Sequence, residues 1–458
     1  MAFCLSGNPP HPIIHPPVPQ NHSADREELK NLLQNRWRTL PQATKTTTQM
    51  AGRTAVACGA THHVMEKCNF SCTCCYLGPE ANKTEPLPFE EVQEQLDHLR
   101  AELGHGGKVQ ITAGEVTLLP LKDLGRIVHY GRSIGLDLMV MSHGQRFLEE
   151  PEYLKSLVKD YGLRKVSIHI DTTQRGRPNT KGITSEEELH YVRDASADLI
   201  RWVRKETGLP LHAASTVTVT NQNLQGMTEV MAWFFQNSDA FRLLSFQPVA
   251  DVGRTRKTHS TAILNSELWK HIYTAARRSF NPQPLLYGHP KCNNVVPLIV
   301  TRVKDEHLIF EGLRKDNEDD ASMFSHAMEH FDGELDWTAP WWKNVHVVIR
   351  TFLHNPNLFT HGIQWGLKRL KAESNRLKQL SQACVKARCL PKIHPFLLVV
   401  HNFMSPHELT TEEGKERLDA CVFKLSVDGE IISMCEMNAS ELRSTLDKRQ
   451  LKKEVTKA

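Results

Sequence analysis

No stretch of this 458-residue chain approaches the roughly 18 consecutive apolar residues that a membrane-spanning helix needs, so a transmembrane protein is excluded. The start, M-A-F-C-L-S-G-N-P-P-H-P, has neither the basic opening nor the long apolar core of a secretory signal, and the expected location is cytoplasmic. Surplus charge is also scarce. Fifty-six Lys and Arg stand against 52 Asp and Glu, a net of +4, which argues against a surface built to hold nucleic acid. No internal repeat is visible. In a reducing compartment eleven cysteines do not make a disulfide framework, so a cluster among them calls for a metal or redox reading first.

Residues 1–55 read as a proline-rich arm followed by a helix. Six prolines through Pro19 leave no face to bury, whereas Leu29, Leu32, Leu33 and Trp37 recur at helical spacing. From His62 onwards short β-like runs alternate with longer helical ones, the signature of a parallel α/β sheet or barrel. The strands expected are 62–67, 108–113, 136–142, 165–171, 211–219 and 242–247, with helices such as 88–103 and 185–207 between them. This six-unit pattern ends after Gly253-Arg254, giving a core over 56–260 and a mixed α+β extension over 261–458, with an acidic loop at Asp316, Glu318, Asp319 and Asp320.

Parity within the strands carries more. In K-V-S-I-H-I-D, Val166, Ile168 and Ile170 share one face and Ser167, His169 and Asp171 the other. Gln110 and Thr112, Thr216 and Thr218, and Ser245 and Gln247 repeat the split. With helices over one face, the polar face lines something wet or liganded, which favours a curved, partly open barrel with a lumen.

Cys68, Cys72, Cys74 and Cys75 fall within eight residues, and Cys68, Cys72 and Cys75 make C-x3-C-x2-C. Three thiolates in one loop can hold three irons of a [4Fe-4S] cube and leave the fourth open for chemistry. Strand two then runs into I-T-A-G-E-V-T-L. Together these motifs resemble the radical S-adenosylmethionine (radical SAM) superfamily over about residues 56–255.

The resemblance implies a partial (β/α)6 TIM-like barrel with the C-terminal α+β extension attached. It also implies an enzyme in which the cluster cleaves SAM to a 5′-deoxyadenosyl radical that abstracts hydrogen from a substrate. On this reading Gly114 and Glu115 match the superfamily's Gly-Gly-Glu motif, with Ala113 in its first position, and Glu115 would hold the SAM ammonium. Ser142, His169, Asp171 and Gln247 at later strand ends would contact SAM or substrate, since barrel strands present functional residues at their C-terminal edge. An electron donor such as flavodoxin or ferredoxin is implied, and no catalytic residue beyond the cofactor is identified. Cys74 stands where the superfamily usually has an aromatic or apolar residue and is read as a non-ligand. The alternative is a non-catalytic zinc or iron-sulfur scaffold. Against zinc, no second pair of ligands follows within fifty residues, and His62 and His63 are read as ordinary strand residues.

Beyond the barrel lie Cys292, Cys384, Cys389, Cys421 and Cys435 in four sequence contexts, three of which, together with V-H-N-F-M-S-P before Cys421, resemble a bacterial branch of the superfamily whose C-terminal region carries the same islands. Cys292, Cys421 and Cys435 are candidate ligands of an auxiliary iron-sulfur cluster, with His289 or His401 as a non-thiolate ligand; the other reading is that these thiols are small buried hydrophobes. The run H-G-I-Q-W-G-L-K-R-L-K-A-E-S-N-R-L-K-Q-L reads as a basic amphipathic helix. Such a helix either packs on its own domain or makes a peripheral membrane contact, which would suit a lipid substrate. A small molecule, a peptide and a lipid or isoprenoid all remain open as substrate.

Overall fold

The computed structural model describes residues 22–255, 265–314, 317–331 and 341–457. The proline-rich stretch through Pro19, Asp316 of the acidic loop and Trp337 lie outside them. Helix α1 (His22–Thr39) leads into the repeating part: β1 (Cys58–Ala60), α2 (Phe89–Leu103), β2 (Lys108–Ile111), α3 (Leu121–Ser133), β3 (Asp137–Ser142), α4 (Gln145–Glu149), α5 (Pro151–Lys159), β4 (Lys165–Ile168), α6 (His190–Thr207), β5 (His212–Val219), α7 (Met227–Gln236) and β6 (Phe241–Pro248).

The helices form where apolar residues recur on one face. Val92, Leu96, Leu99 and Leu103 of α2 are all buried, and Gly104, at a φ of +74°, ends the helix. Strands β1 to β6 lie side by side, parallel and in sequence order, as a curled half-barrel. Val109, Ile111, Val166, Val217, Leu244 and Phe246 pack with helix side chains into one large core. On the other parity Thr112, Ser167, Thr216 and Ser245 are buried polar residues, so the sheet has the polar inner face that its sequence pattern implies.

The extension continues through α8 (Asn265–Ala276), β7 (Asn293–Val303), β8 (Glu306–Glu311), α9 (Glu318–Phe331), α10 (Trp341–His354), α11 (Pro356–Ala372), α12 (Ser374–Ala387), β9 (Lys392–His401), α13 (Glu412–Asp419), β10 (Phe423–Val427), β11 (Glu430–Ser433), α14 (Met434–Ala439) and α15 (Leu442–Lys457). Its strands join the same sheet, an arrangement that the sequence pattern does not disclose. Strand β9 lies parallel to β6 and β10 parallel to β1, so eight parallel strands run in a row, with antiparallel β11 beyond β10 and antiparallel β7 and β8 beyond β9. Among the described residues no helix is long and apolar enough to cross a membrane.

Two local expectations need correction. The first strand is Cys58–Ala60, not 62–67. His63 adopts a φ of +53°, which no strand accommodates, and the His62 amide donates to the Gln95 side chain at 2.8 Å instead of to a neighbouring strand. The β-like pattern of 62–67 arises because the segment is buried against other elements. The basic run from His361 to Leu380 is likewise two helices, with a corner at Glu373, whose carboxylate pairs with Arg278 at 3.4 Å.

Candidate active site

The four-cysteine loop leaves the sheet after β1 and is fastened by residues far away in sequence. The Cys68 amide donates to Asn82 Oδ1 at 2.6 Å, the Ser71 amide to the Arg175 carbonyl at 2.8 Å, and the Thr73 amide to the Thr173 carbonyl at 2.9 Å. The Arg254 amide donates to the Cys75 carbonyl at 2.8 Å, and its guanidinium to the Cys75 sulfur at 3.4 Å. Residues 173–175 follow β4 and Arg254 follows β6, so the loop sits at the C-terminal edge of the parallel strands. Phe70 stacks on His143 with ring centres 3.7 Å apart, and His143 Nε2 meets Asn69 Oδ1 at 2.8 Å.

Two glycines make this close fit feasible. Gly114, at a φ of +67°, leaves 1.7 Å between the place of a Cβ and the Met65 carbonyl oxygen. Gly253, at +56°, leaves 2.3 Å to the Tyr76 carbonyl. Gly114 therefore serves the chain just before Cys68, a role that the motif alone does not reveal.

The loop's thiols lie in one another's field. Burial pushes Cys68 up to about 11, and Cys75 adds to the shift; burial also raises Cys72, with Cys75, Asp171 and Cys68 contributing. Burial raises Cys74 as well. Thiols in such surroundings become thiolates only when a cation compensates them.

The strand-end candidates divide by whether their polar atoms are already engaged. Glu115 is buried and accepts from the Thr117 amide at 3.2 Å, the Thr117 hydroxyl, the Ser142 hydroxyl at 2.8 Å and the His143 amide at 2.8 Å. Its carboxylate joins the ends of β2 and β3, and Ser142 is spent on the same group and on the Gly144 amide. Asp171 accepts from the Thr173 amide and hydroxyl and from the Thr218 amide, and burial beside Glu186 raises it to about 6. His169 differs: the residue is half-buried, its Nε2 is shut away from solvent without a partner, and burial lowers it to about 4. Gln247 is half-buried, and its side chain has no hydrogen-bond partner among the described residues.

Residues 63–225 match the family model of the radical SAM superfamily. No curated protein matches the chain. Among solved structures the chain is similar to anSMEcpe, solved natively with bound AdoMet, at 13% identity and a TM-score of 0.35, over 47% of this chain and 57% of that one. It is similar to SuiB of Streptococcus suis at 13% and 0.33, over 51% and 49%, and to the methylornithine synthase PylB at 12% and 0.33, over 56% and 71%. The chain thus spans little more than half the length of the first of these.

Three cysteines of the extension, Cys292, Cys421 and Cys435, lie in one neighbourhood around Arg417. Cys435 is buried and pushed up to about 12 by burial, with Cys421 and Cys292 adding to the shift; the Arg417 Nε donates to the Cys292 sulfur at 3.4 Å. His289 lies near Arg417, whereas His401 is bound to the Asn293 side chain. Cys389 is exposed.

Sequence reasoning missed Asn82, His143 and the sulfur contact of Arg254, because each meets the loop through tertiary structure alone. It also missed a buried group on the other side of the loop. His63 Nε2 bonds Asp447 of α15, while Glu66 accepts from Arg443 of the same helix at 2.9 Å. The Arg443 guanidinium lies 5.1 Å from the ring centre of Tyr76, whose hydroxyl meets the Thr112 hydroxyl at 3.0 Å. Helix α15 is thereby latched to the segment that leads into Cys68.

Proposed function

We propose that this chain is a radical SAM enzyme in which Cys68, Cys72 and Cys75 hold a [4Fe-4S] cluster with one iron left for S-adenosylmethionine. The observation that supports the proposal is the C-x3-C-x2-C loop, fastened at the C-terminal edge of a half-barrel with a polar inner face. When bound, this cofactor pair supplies one-electron cleavage of SAM and, through it, hydrogen abstraction from a substrate carbon.

The chain's own residues hold and shape the site. Asn82 and Arg254 fix the two ends of the ligand loop, and the Phe70–His143 stack closes one flank. Glu115 acts as a positioning residue, its carboxylate setting the ends of β2 and β3 beneath the loop. His169 Nε2 and the Gln247 amide are free to contact SAM or substrate. Electrons would come from a flavodoxin or ferredoxin, and the substrate would be a small molecule, peptide or lipid. Anaerobic purification and reconstitution provide the test: iron and sulfide enough for at least one [4Fe-4S] cluster, with 5′-deoxyadenosine released from SAM under reduction, are expected. Stoichiometric zinc in a colourless protein would instead favour the scaffold reading.

The convergence of Cys292, Cys421 and Cys435 favours a second, auxiliary cluster there. A protein lacking Cys68, Cys72 and Cys75 should then retain iron and sulfide, and should lose them when these three are also replaced. An iron-free but folded first variant would remove the auxiliary cluster.

A further inference from the structure

Helix α11 is mounted with its polar side inward. Trp365 donates to Asp320 of α9 at 2.7 Å, and Arg369 pairs with the same carboxylate at 3.5 Å, while Leu358 is the one buried apolar residue of the helix. The opposite stripe faces water: Phe359, Ile363, Leu367 and Leu370, at i, i+4, i+8 and i+11, are 49%, 48%, 62% and 57% exposed. On α10, Ile349 and Leu353 are exposed at the same helical spacing. Single exposed apolar residues are ordinary, but two adjoining stripes form a surface with an occupant to find. One of the two readings of this helix from sequence has its apolar face packed on its own domain; α11 packs there through Trp365, Arg369 and Leu358, and its stripe of Phe359, Ile363, Leu367 and Leu370 stays exposed.

Charge selects the occupant. Residues 341–390 hold nine Lys and Arg against one acid, Glu373, a net of +8 in a chain whose total is +4, so the remainder is at −4. Lys371 sits beside Leu367 on the helix surface and is exposed, as are Lys378 and Lys386 of α12. A second copy of so positive a surface would be repelled. An anionic lipid surface takes both features, the leucines entering the headgroup boundary and the lysines meeting phosphates.

We propose that the α10–α12 region docks the protein on an anionic membrane surface through the apolar stripe of α11 and its flanking lysines. The proposal stands apart from the iron-sulfur reading, since none of these residues belongs to the cysteine loop.

Flotation of the full-length protein with vesicles tests it. Binding is expected to phosphatidylcholine vesicles containing phosphatidylglycerol, to be much weaker to phosphatidylcholine alone, and to fall as salt is raised. Leu367→Glu with Leu370→Glu should abolish it. Lys371→Gln and Lys378→Gln should each weaken it about fivefold. Because these side chains are exposed, thermal unfolding of the variants should match wild type, which separates lost docking from lost folding. Failure to float with anionic vesicles, or binding unchanged by the leucine substitutions, would overturn the proposal. So would a concentration-dependent dimer broken by those substitutions without vesicle binding, which assigns the face to a second copy. Capture of an acidic peptide in place of vesicles would overturn it in favour of a protein partner.

Discussion

Arg254 donates through its guanidinium to the Cys75 sulfur at 3.4 Å across 179 residues of sequence. Burial works to lower the arginine's pKa, yet the sulfurs of Cys75, Cys68 and Cys72 hold it above its ordinary value. A cation fixed beside Cys75, a proposed cluster ligand, would favour the more negative, reduced state. Arg254→Gln should therefore shift the cluster's reduction potential downward, on the order of tens of millivolts, given that about 59 mV is a tenfold change for one electron. Redox titration followed by electron paramagnetic resonance reads this directly, and an unmoved potential would make Arg254 a loop fastener only.

Cys74 neighbours three proposed ligands without being one. Cys74→Ala should keep the cluster and SAM cleavage, whereas Cys68→Ala, Cys72→Ala or Cys75→Ala should lose both. Iron analysis of the four reconstituted variants decides. Retention in Cys75→Ala with loss in Cys74→Ala would reassign the third ligand.

Glu115 meets four donors, so Glu115→Gln presents an amide to groups that need an acceptor. We expect a loss of roughly 1–3 kcal/mol in stability. If its carboxylate acts by positioning, SAM affinity in equally loaded samples should change little; a ten- to hundredfold loss of affinity would restore the direct ammonium contact implied by the motif. Denaturant unfolding and SAM titration are the paired measurements.

Arg443 and Glu66 are a buried ion pair, with side chains 4% and 1% exposed. Removing one partner leaves the other charge stranded, so Arg443→Met should cost about 3–5 kcal/mol, and Glu66→Gln in the same protein should recover part of that. Chemical denaturation of the single and double variants measures the coupling. Additive losses would show that α15 and the loop entrance are not energetically joined.

Three histidines, His62 buried and His169 and His401 half-buried, give a signed pH dependence. Burial lowers His62 to about 3 and His169 and His401 to about 4, from an ordinary value of 6.5. Between pH 6.5 and about 4 the unfolded chain therefore binds protons that the folded chain refuses, and stability falls as pH falls through that window. Each histidine contributes on the order of 3 kcal/mol to this loss. His401→Gln should flatten the stability–pH curve there, and an unchanged slope would show that His401 charges without unfolding.

The sequence alone determined the features that depend on neighbours in the chain. Helices such as α2 and α6 follow from apolar residues spaced to share one face, and the buried polar row of Thr112, Ser167, Thr216 and Ser245 follows from the alternation of strand side chains. The C-x3-C-x2-C set is also local, because its three cysteines occupy one loop. Only the tertiary structure decided what depends on elements distant in the chain. It displaced the first strand to Cys58–Ala60, since the burial of 62–67 comes from α2 and α15 and not from a sheet. It set β9 and β10 on opposite edges of the barrel, and it spent Glu115 on the ends of neighbouring strands. It also brought Arg254, Asn82 and His143 to the cysteine loop and turned the leucines of α11 outward. A strand's pattern records whether each face is buried; it does not record which partner buries it, and that partner is chosen by packing across hundreds of residues.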